Sequence, residues 1–198
     1  TLYELGALGG IVEQNKELLG SYAREYPNAK TYQDLDEALG NEEFSGFIVA
    51  TPAETHHDIA VQIIKSGRHV LVEKPLCLNI KDAENLVNLA KQYQVNLMVG
   101  HVMLFHPAIR KIKELINEGK IGNLQYIYSN RLNLGQVRTQ ENVFWSLASH
   151  DISIFQYFTD SFPEKIMANG SSFLQRGIDD STITQLKYPN GVEGHIFV

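Results

Sequence analysis

The chain has 198 residues, 43% of them apolar and 20% charged, a balance that lets a globular protein bury a sizeable core. Its formal charge of −6 is spread without blocks of one sign, which excludes the clustered Lys/Arg footprint of a nucleic-acid surface. One cysteine, Cys77, excludes an internal disulfide and fits a reducing compartment; no apolar run has the length of a membrane span and no signal peptide is read, so a cytoplasmic protein is expected.

In chain order, Thr1–Gly6 reads as the tail of a helix closed by Gly6, and Val192–Val198 as a strand with no turn after it. Both ends are therefore expected to be cut. From Ala7 to Gly100 short apolar runs alternate with helical periodicity. Strands are predicted over Ala7–Glu13, Ala29–Tyr32, Gly46–Ala50, His69–Glu73 and Asn96–Gly100. Helices are predicted over Lys16–Tyr26, Leu35–Leu39, Glu54–Ser66 and Lys81–Tyr93, the last capped by Asn79 with Asp82 three residues on. The strands are near-continuous apolar runs, which predicts a parallel sheet covered on both faces.

A helix over Pro107–Glu118 follows, with Pro107 at its first position and Gly119 closing it. The pattern then changes. Leu124–Leu134 alternates, Leu147–Phe158 is helical, and Pro163–Leu174, Ser181–Lys187 and Val192–Val198 read as strands separated by turns such as Pro189-Asn190-Gly191. Successive strands predict an antiparallel or mixed sheet, hence a second domain, with the boundary near Gly119–Asn123. The domains expected are 1–120 and 121–198.

Ligands of an open parallel sheet bind at the carboxyl ends of its strands. Four predicted ends carry polar, turn-forming residues: Glu13-Gln14-Asn15, Thr51-Pro52-Ala53, Glu73-Lys74-Pro75 and Gly100-His101. In a dinucleotide fold an acidic residue about 20 positions after the glycine loop accepts from the adenosine ribose hydroxyls. If Glu13 is that residue, the loop precedes Thr1 and the sheet lacks its first strand. Glu13 would also repel a 2′-phosphate, favouring NAD over NADP, with Lys16 close enough to soften the preference. Lys74, held between a strand end and a proline, could exchange a proton with a substrate hydroxyl if shielded from water. The bland alternative is a surface lysine in a turn. Arg131, Asn133 and Arg138 would suit hydroxyl, carboxylate or diphosphate oxygens, or equally form a solvated strand edge. His101, His106 and His150 show no metal-ligand spacing, and no metal is expected.

Ala50–His56 (ATPAETH), Gly67–Leu76 (GRHVLVEKPL) and Ser149–Ser153 (SHDIS) resemble the signatures of the Gfo/Idh/MocA family, the glucose–fructose oxidoreductase and inositol dehydrogenase-like enzymes. The match in spacing and element order runs from Ala7 to Val198. The resemblance implies an α/β Rossmann-type domain, then part of an α+β domain whose mostly antiparallel open sheet lines the substrate site and mediates homo-oligomerisation, as a dimer or tetramer. It implies NAD as cofactor and a secondary alcohol of a sugar as substrate. Lys74 would be the catalytic or substrate-orienting lysine, with Pro75 following a cis peptide, and His150 the catalytic histidine. Thr51, Pro52 and His56 would lie along the cofactor with the strand end at His101, and Glu73 near the nicotinamide ribose.

One position departs from the pattern. Family members commonly carry an acidic residue four places before the catalytic histidine; here that place holds Ser146. An Asp-Lys-His arrangement therefore does not transfer whole, and Ser146 is counted with the substrate-binding residues. Asp151, next to His150, is expected to be structural. Asn130–Gly135 and Val143–Ala148 resemble the branch that oxidises nucleotide-linked N-acetylated sugars or their uronic acids. The same fold hosts NAD-using glycosidases and dehydratases, as well as non-catalytic dinucleotide-binding regulators. Retention of cofactor without net NADH release would mark the former; keeping both Lys74 and His150 argues against the latter.

Overall fold

A computed structural model describes residues 2–133, 137 and 141–198. The chain forms two compact units, Thr1–Gly100 and His101–Val198. The division falls one helix earlier than the sequence pattern placed it, because the helix beginning at Pro107 packs into the second core.

In the first unit, β1 (Gly10–Val12) and β2 (Lys30–Tyr32) pair in parallel, and β3 (Gly46–Val49), β4 (His69–Val72) and β5 (Leu97–Val99) form a separate parallel sheet in that order. α1 (Lys16–Glu25) starts where the Asn15 side chain accepts from the N–H groups of Glu17 and Leu18, and α2 (Leu35–Leu39) where Asp34 accepts from Glu37. α3 (His56–Lys65), entered through a 3₁₀ turn at Ala53–Thr55, joins β3 to β4, and α4 (Ile80–Gln92) joins β4 to β5. Asn79 accepts from the Asp82 N–H at 2.9 Å and donates to its carboxylate at 2.5 Å, the reciprocal cap the sequence announced. Leu2–Gly6 is a turn, closed by Gly6 N–H to Tyr3 carbonyl and Ala7 N–H to Leu2 carbonyl, and not the helix end expected from Gly6.

Both crossover helices lie on one face of the three-stranded sheet. Ala60, Ile63 and Ile64 of α3 and Leu86 and Ala90 of α4 close over Val49, Val70 and Val72. The register partners Ile48, Leu71 and Met98 point the other way, and Ile48 and Met98 are 50% and 42% exposed. Among the described residues these two helices cover the face that carries Val49, Val70 and Val72. Cys77 fills space in this core, its thiol pushed up to about 11 by burial. The edges of β1 and β3 line a groove of about 410 Å³. Phe44 leans into it, with ring atoms where side chains on Gly9 and Gly10 would begin. These two glycines accommodate an aromatic ring.

In the second unit α5 (Pro107–Asn117), β6 (Tyr126–Asn130), α6 (Ser149–Thr159), β7 (Lys165–Ser171), β8 (Ser181–Lys187) and β9 (Glu193–Phe197) follow in order. The sheet order is β6-β9-β8-β7, antiparallel except for the parallel β6–β9 pair. Ile154, Phe155 and Phe158 of α6 pack on Leu186, Ile196 and Val198. The opposite face is open, with Tyr126, Tyr128 and Ile183 each more than half exposed. α5 is pinned by Lys113, only 7% exposed, whose ammonium donates to the Asp160 carboxylate at 2.5 Å and to the Phe158 carbonyl at 3.4 Å. The cation therefore sits at the carboxyl end of α6, where the helix dipole favours it.

Candidate active site

The first unit brings its strand ends together through short-range contacts. Glu73 N–H donates to the Val49 carbonyl at 2.9 Å, the last rung between β3 and β4. The Glu73 carboxylate then lies against Gly100, just past β5: a Cβ at Gly100 would stand 2.9 Å from Glu73 Oε2. The same oxygen accepts from the Lys74 N–H at 3.2 Å. The Lys74–Pro75 peptide is cis, as the resemblance implied. Lys74 is half-buried and Pro75 buried.

Thr51 and Pro52 are exposed at the end of β3. The Thr55 hydroxyl donates to the Pro52 carbonyl at 2.8 Å and stands 2.7 Å from the Thr51 hydroxyl, which stiffens this loop. At the end of β1, Glu13 Oε1 accepts from the Asn15 N–H at 2.8 Å; among the described residues Oε2 makes no hydrogen bond. A carboxylate with one oxygen to give, exposed hydroxyl and proline surfaces, and a side-chain-free approach at Gly100 suit the carboxyl-end crevice of a dinucleotide fold. Glu13 would hold the ribose hydroxyls, and Thr51, Pro52 and Glu73 would line the rest.

His56 departs from expectation. It is 1% exposed, and its ring nitrogens lie 2.8 Å from the Thr51 and Pro75 carbonyls. A ring enclosed in this way turns both nitrogens to backbone carbonyls and cross-links two loops.

In the second unit Phe144–Ala148 winds as a π-helix directly into α6. Such turns recur at functional sites, and this one carries Ser146, buried to 4%, one turn ahead of His150. Asp151, 3% exposed, accepts from Arg131 Nε at 2.8 Å, from a second guanidinium nitrogen at 3.0 Å and from the Ser129 hydroxyl at 2.7 Å. The carboxylate holds the guanidinium above its ordinary pKa. Arg131, expected among the substrate ligands, therefore commits its fork to tying the end of β6 to the first turn of α6. Nothing in the sequence pairs Arg131 with Asp151, because their partnership is made across 20 positions of chain.

Asn133 is exposed, and Arg138 lies outside the described residues. His101 precedes a 3₁₀ turn, Val102–Phe105, and His106 caps α5 by accepting from the Ala108 N–H at 3.2 Å. Among the described residues no three His, Cys, Asp or Glu side chains gather as a metal site would need, and no helix is long and apolar enough to cross a membrane.

Comparison with known proteins places this geometry. Residues 4–101 match the family model described as an oxidoreductase family with an NAD-binding Rossmann fold, and residues 109–198 match the GFO/IDH/MocA C-terminal domain. The chain is 29% identical over 155 residues to a 2,7-anhydro-N-acetylneuraminate hydratase of Mediterraneibacter gnavus, covering 73% of this chain and 41% of the relative. It is 25% identical over 177 residues to a myo-inositol 2-dehydrogenase of Thermotoga maritima, covering 84% and 53%. A UDP-N-acetylglucosamine 3-dehydrogenase of Acidithiobacillus ferrooxidans is 26% identical over 179 residues, covering 90% and 55%. A crystal structure under that name, from the same organism, shares the fold with a TM-score of 0.87 at 24% identity over 99% of this chain and 63% of the other. The chain spans about half the length of the curated relatives it matches. With both family models matched in order, the chain belongs to the Gfo/Idh/MocA family of oxidoreductases, its first unit being the NAD-binding Rossmann domain.

Proposed function

We propose that the protein oxidises a secondary alcohol of a sugar or polyol, with Lys74 managing the hydroxyl proton. The observation that carries this is the position of Glu73-Lys74-Pro75 at the carboxyl end of β4, the central strand of its parallel sheet. Bound NAD supplies the hydride acceptor. Lys74 takes the hydroxyl proton as the carbonyl develops, so that the chain's own contribution is placement and proton transfer; His150 is proposed as a further catalytic residue of the second unit. Ser146 and Asn133 are proposed to face the sugar. Ser146 supplies a neutral hydroxyl where the family pattern has a carboxylate. A nucleotide-linked N-acetyl sugar is the favoured substrate class, supported by the relative named for UDP-N-acetylglucosamine. The open sheet of the second unit is proposed as the homo-oligomer face, and the buried lone thiol supports a cytoplasmic location.

Lys74→Ala in the intact protein should lower turnover by ~10²–10⁴-fold and leave NAD affinity nearly unchanged. Lys74→Arg should rescue little, because a guanidinium stays protonated. Near-wild-type turnover for the alanine variant, on any sugar the enzyme oxidises, would remove Lys74 from the chemistry. A second reading follows from the relative named as a hydratase. In this second reading the protein would oxidise its substrate transiently to labilise a neighbouring bond, and the cofactor would return to its starting state. Stoichiometric NADH accumulation distinguishes the dehydrogenase from this alternative, in which none builds up.

A further inference from the structure

Among the described residues of the first unit, one polar side chain is fully buried: His56. It opens α3, yet neither ring nitrogen serves the helix. One lies 2.8 Å from the Pro75 carbonyl, 19 positions along the chain, and the other 2.8 Å from the Thr51 carbonyl, five positions back. Those carbonyls belong to the loops leaving two neighbouring strands. The paired register of β3 and β4 ends at Val49 and Val72, and Glu73 N–H to Val49 carbonyl is the last rung. Beyond it the imidazole links the two loops where backbone pairing has stopped. In either tautomer one ring N–H donates to one of these carbonyls, and the protonated ring donates to both. An apolar side chain would fill the same space but leave buried acceptors without a donor.

We propose that His56 is a positioning residue. By tying Pro75 to Thr51 it fixes the backbone from which Lys74 is presented, an inference that rests on the proton role proposed for Lys74. The lysine side chain is long and flexible, so the precision of its ammonium depends on how firmly its own Cα is held. His56 acts on that Cα from one residue away. Both of its ring nitrogens are turned to backbone carbonyls.

The test uses the intact protein with NAD and whichever of myo-inositol, glucose and UDP-N-acetylglucosamine it oxidises fastest, comparing His56→Leu, His56→Gln and Lys74→Ala. In a crystal structure of His56→Leu the 73–76 segment should shift by about 1 Å, and kcat should fall roughly 10- to 100-fold. NAD affinity should stay within about threefold of wild type, since no cofactor contact is removed. His56→Gln, which keeps an N–H donor, should recover most of kcat. If the leucine variant does not fold, His56→Asn replaces it, its shorter amide reaching only one carbonyl. A lowered melting temperature with unchanged kcat would make His56 merely structural and overturn the proposal. Lost NAD affinity with unchanged kcat at saturation would overturn it in favour of a cofactor role. Wild-type turnover for Lys74→Ala would show that the reading of Lys74 had failed, and positioning with it.

Discussion

The two units solve the burial of polar groups differently. In the first, the core is aliphatic, built from Val49, Ile63, Ile64, Val70, Val72 and Leu86, and the polar chemistry stands at its rim on strand ends. In the second, aromatic side chains, Phe155, Phe158 and Tyr188, share the interior with Lys113, Ser146, Asp151 and Thr184. A charge inside a protein holds its place only while its partner is present, whereas an aliphatic side chain is held by many small contacts. The proposed proton-handling groups follow the same division. Lys74 hangs from a loop at the edge of an aliphatic sandwich, while His150 is flanked by a buried ion pair.

Breaking that ion pair should give the largest change in stability. Asp151→Ala leaves the Arg131 fork, about a third exposed to solvent, and the Ser129 hydroxyl without their acceptor and should cost about 1–3 kcal/mol in urea unfolding. Asp151→Asn keeps one acceptor and should cost less. If Asp151→Ala proved as mild as a surface change, the pair would be no anchor and the contrast between the units would collapse.

An aliphatic deletion in the first core sharpens the comparison at a smaller scale. Ile64→Val removes one methylene from a fully buried side chain and should cost about 1 kcal/mol. Cys77 lies in the same cluster, so its alkylation at pH 8 reports opening of that core. At pH 8 the thiol stands well below its raised pKa of about 11, so it is protonated and slow to react in the folded state. The valine variant should react faster than wild type by about the same 1 kcal/mol, roughly fivefold. Unchanged labelling would mean that Cys77 opens independently of Ile64.

The smallest effect is expected on the open sheet. Ile183 is 55% exposed on β8, and Ile183→Asp should change the stability of the folded unit by no more than about 0.5 kcal/mol. If that face joins subunits, the same substitution should convert the oligomer to monomer in sedimentation. An unchanged assembly would move the interface elsewhere.

Element type and order were legible in the sequence because their causes are local. Asn15 and Asn79 cap helices within three residues of themselves, Pro107 opens α5, and the short β-branched runs GFIV and HVLV, bounded by turn-forming residues, form strands. The location of Lys74 was legible for the same reason: a lysine and a proline directly after an apolar run lie at a strand's carboxyl end. Coverage was not. The apolar runs of β3, β4 and β5 do not say that both crossover helices lie on the side of Val49, Val70 and Val72, with the Ile48–Leu71–Met98 row facing away from them. An apolar pattern records which side chains avoid water, not which element of which segment covers them.

Hydrogen-bond partnership was hidden more deeply. His56 was visible as a residue of the motif, and its resemblance pointed to the cofactor; its actual partners, Thr51 and Pro75, are carbonyls on two different loops. Arg131 read as a ligand for substrate oxygens because its guanidinium was the only part of the pairing on view. The acceptor, Asp151, sits on a helix whose approach to β6 is set by the packing of Phe155 and Ile154 on the sheet. By itself the sequence determined the family, the element order and the lysine at the strand end, all of which depend on neighbours a few residues apart. Only the tertiary structure decided which polar groups are free to act and which are bound to one another, because a hydrogen bond is satisfied over about 3 Å and no periodicity carries distances between segments.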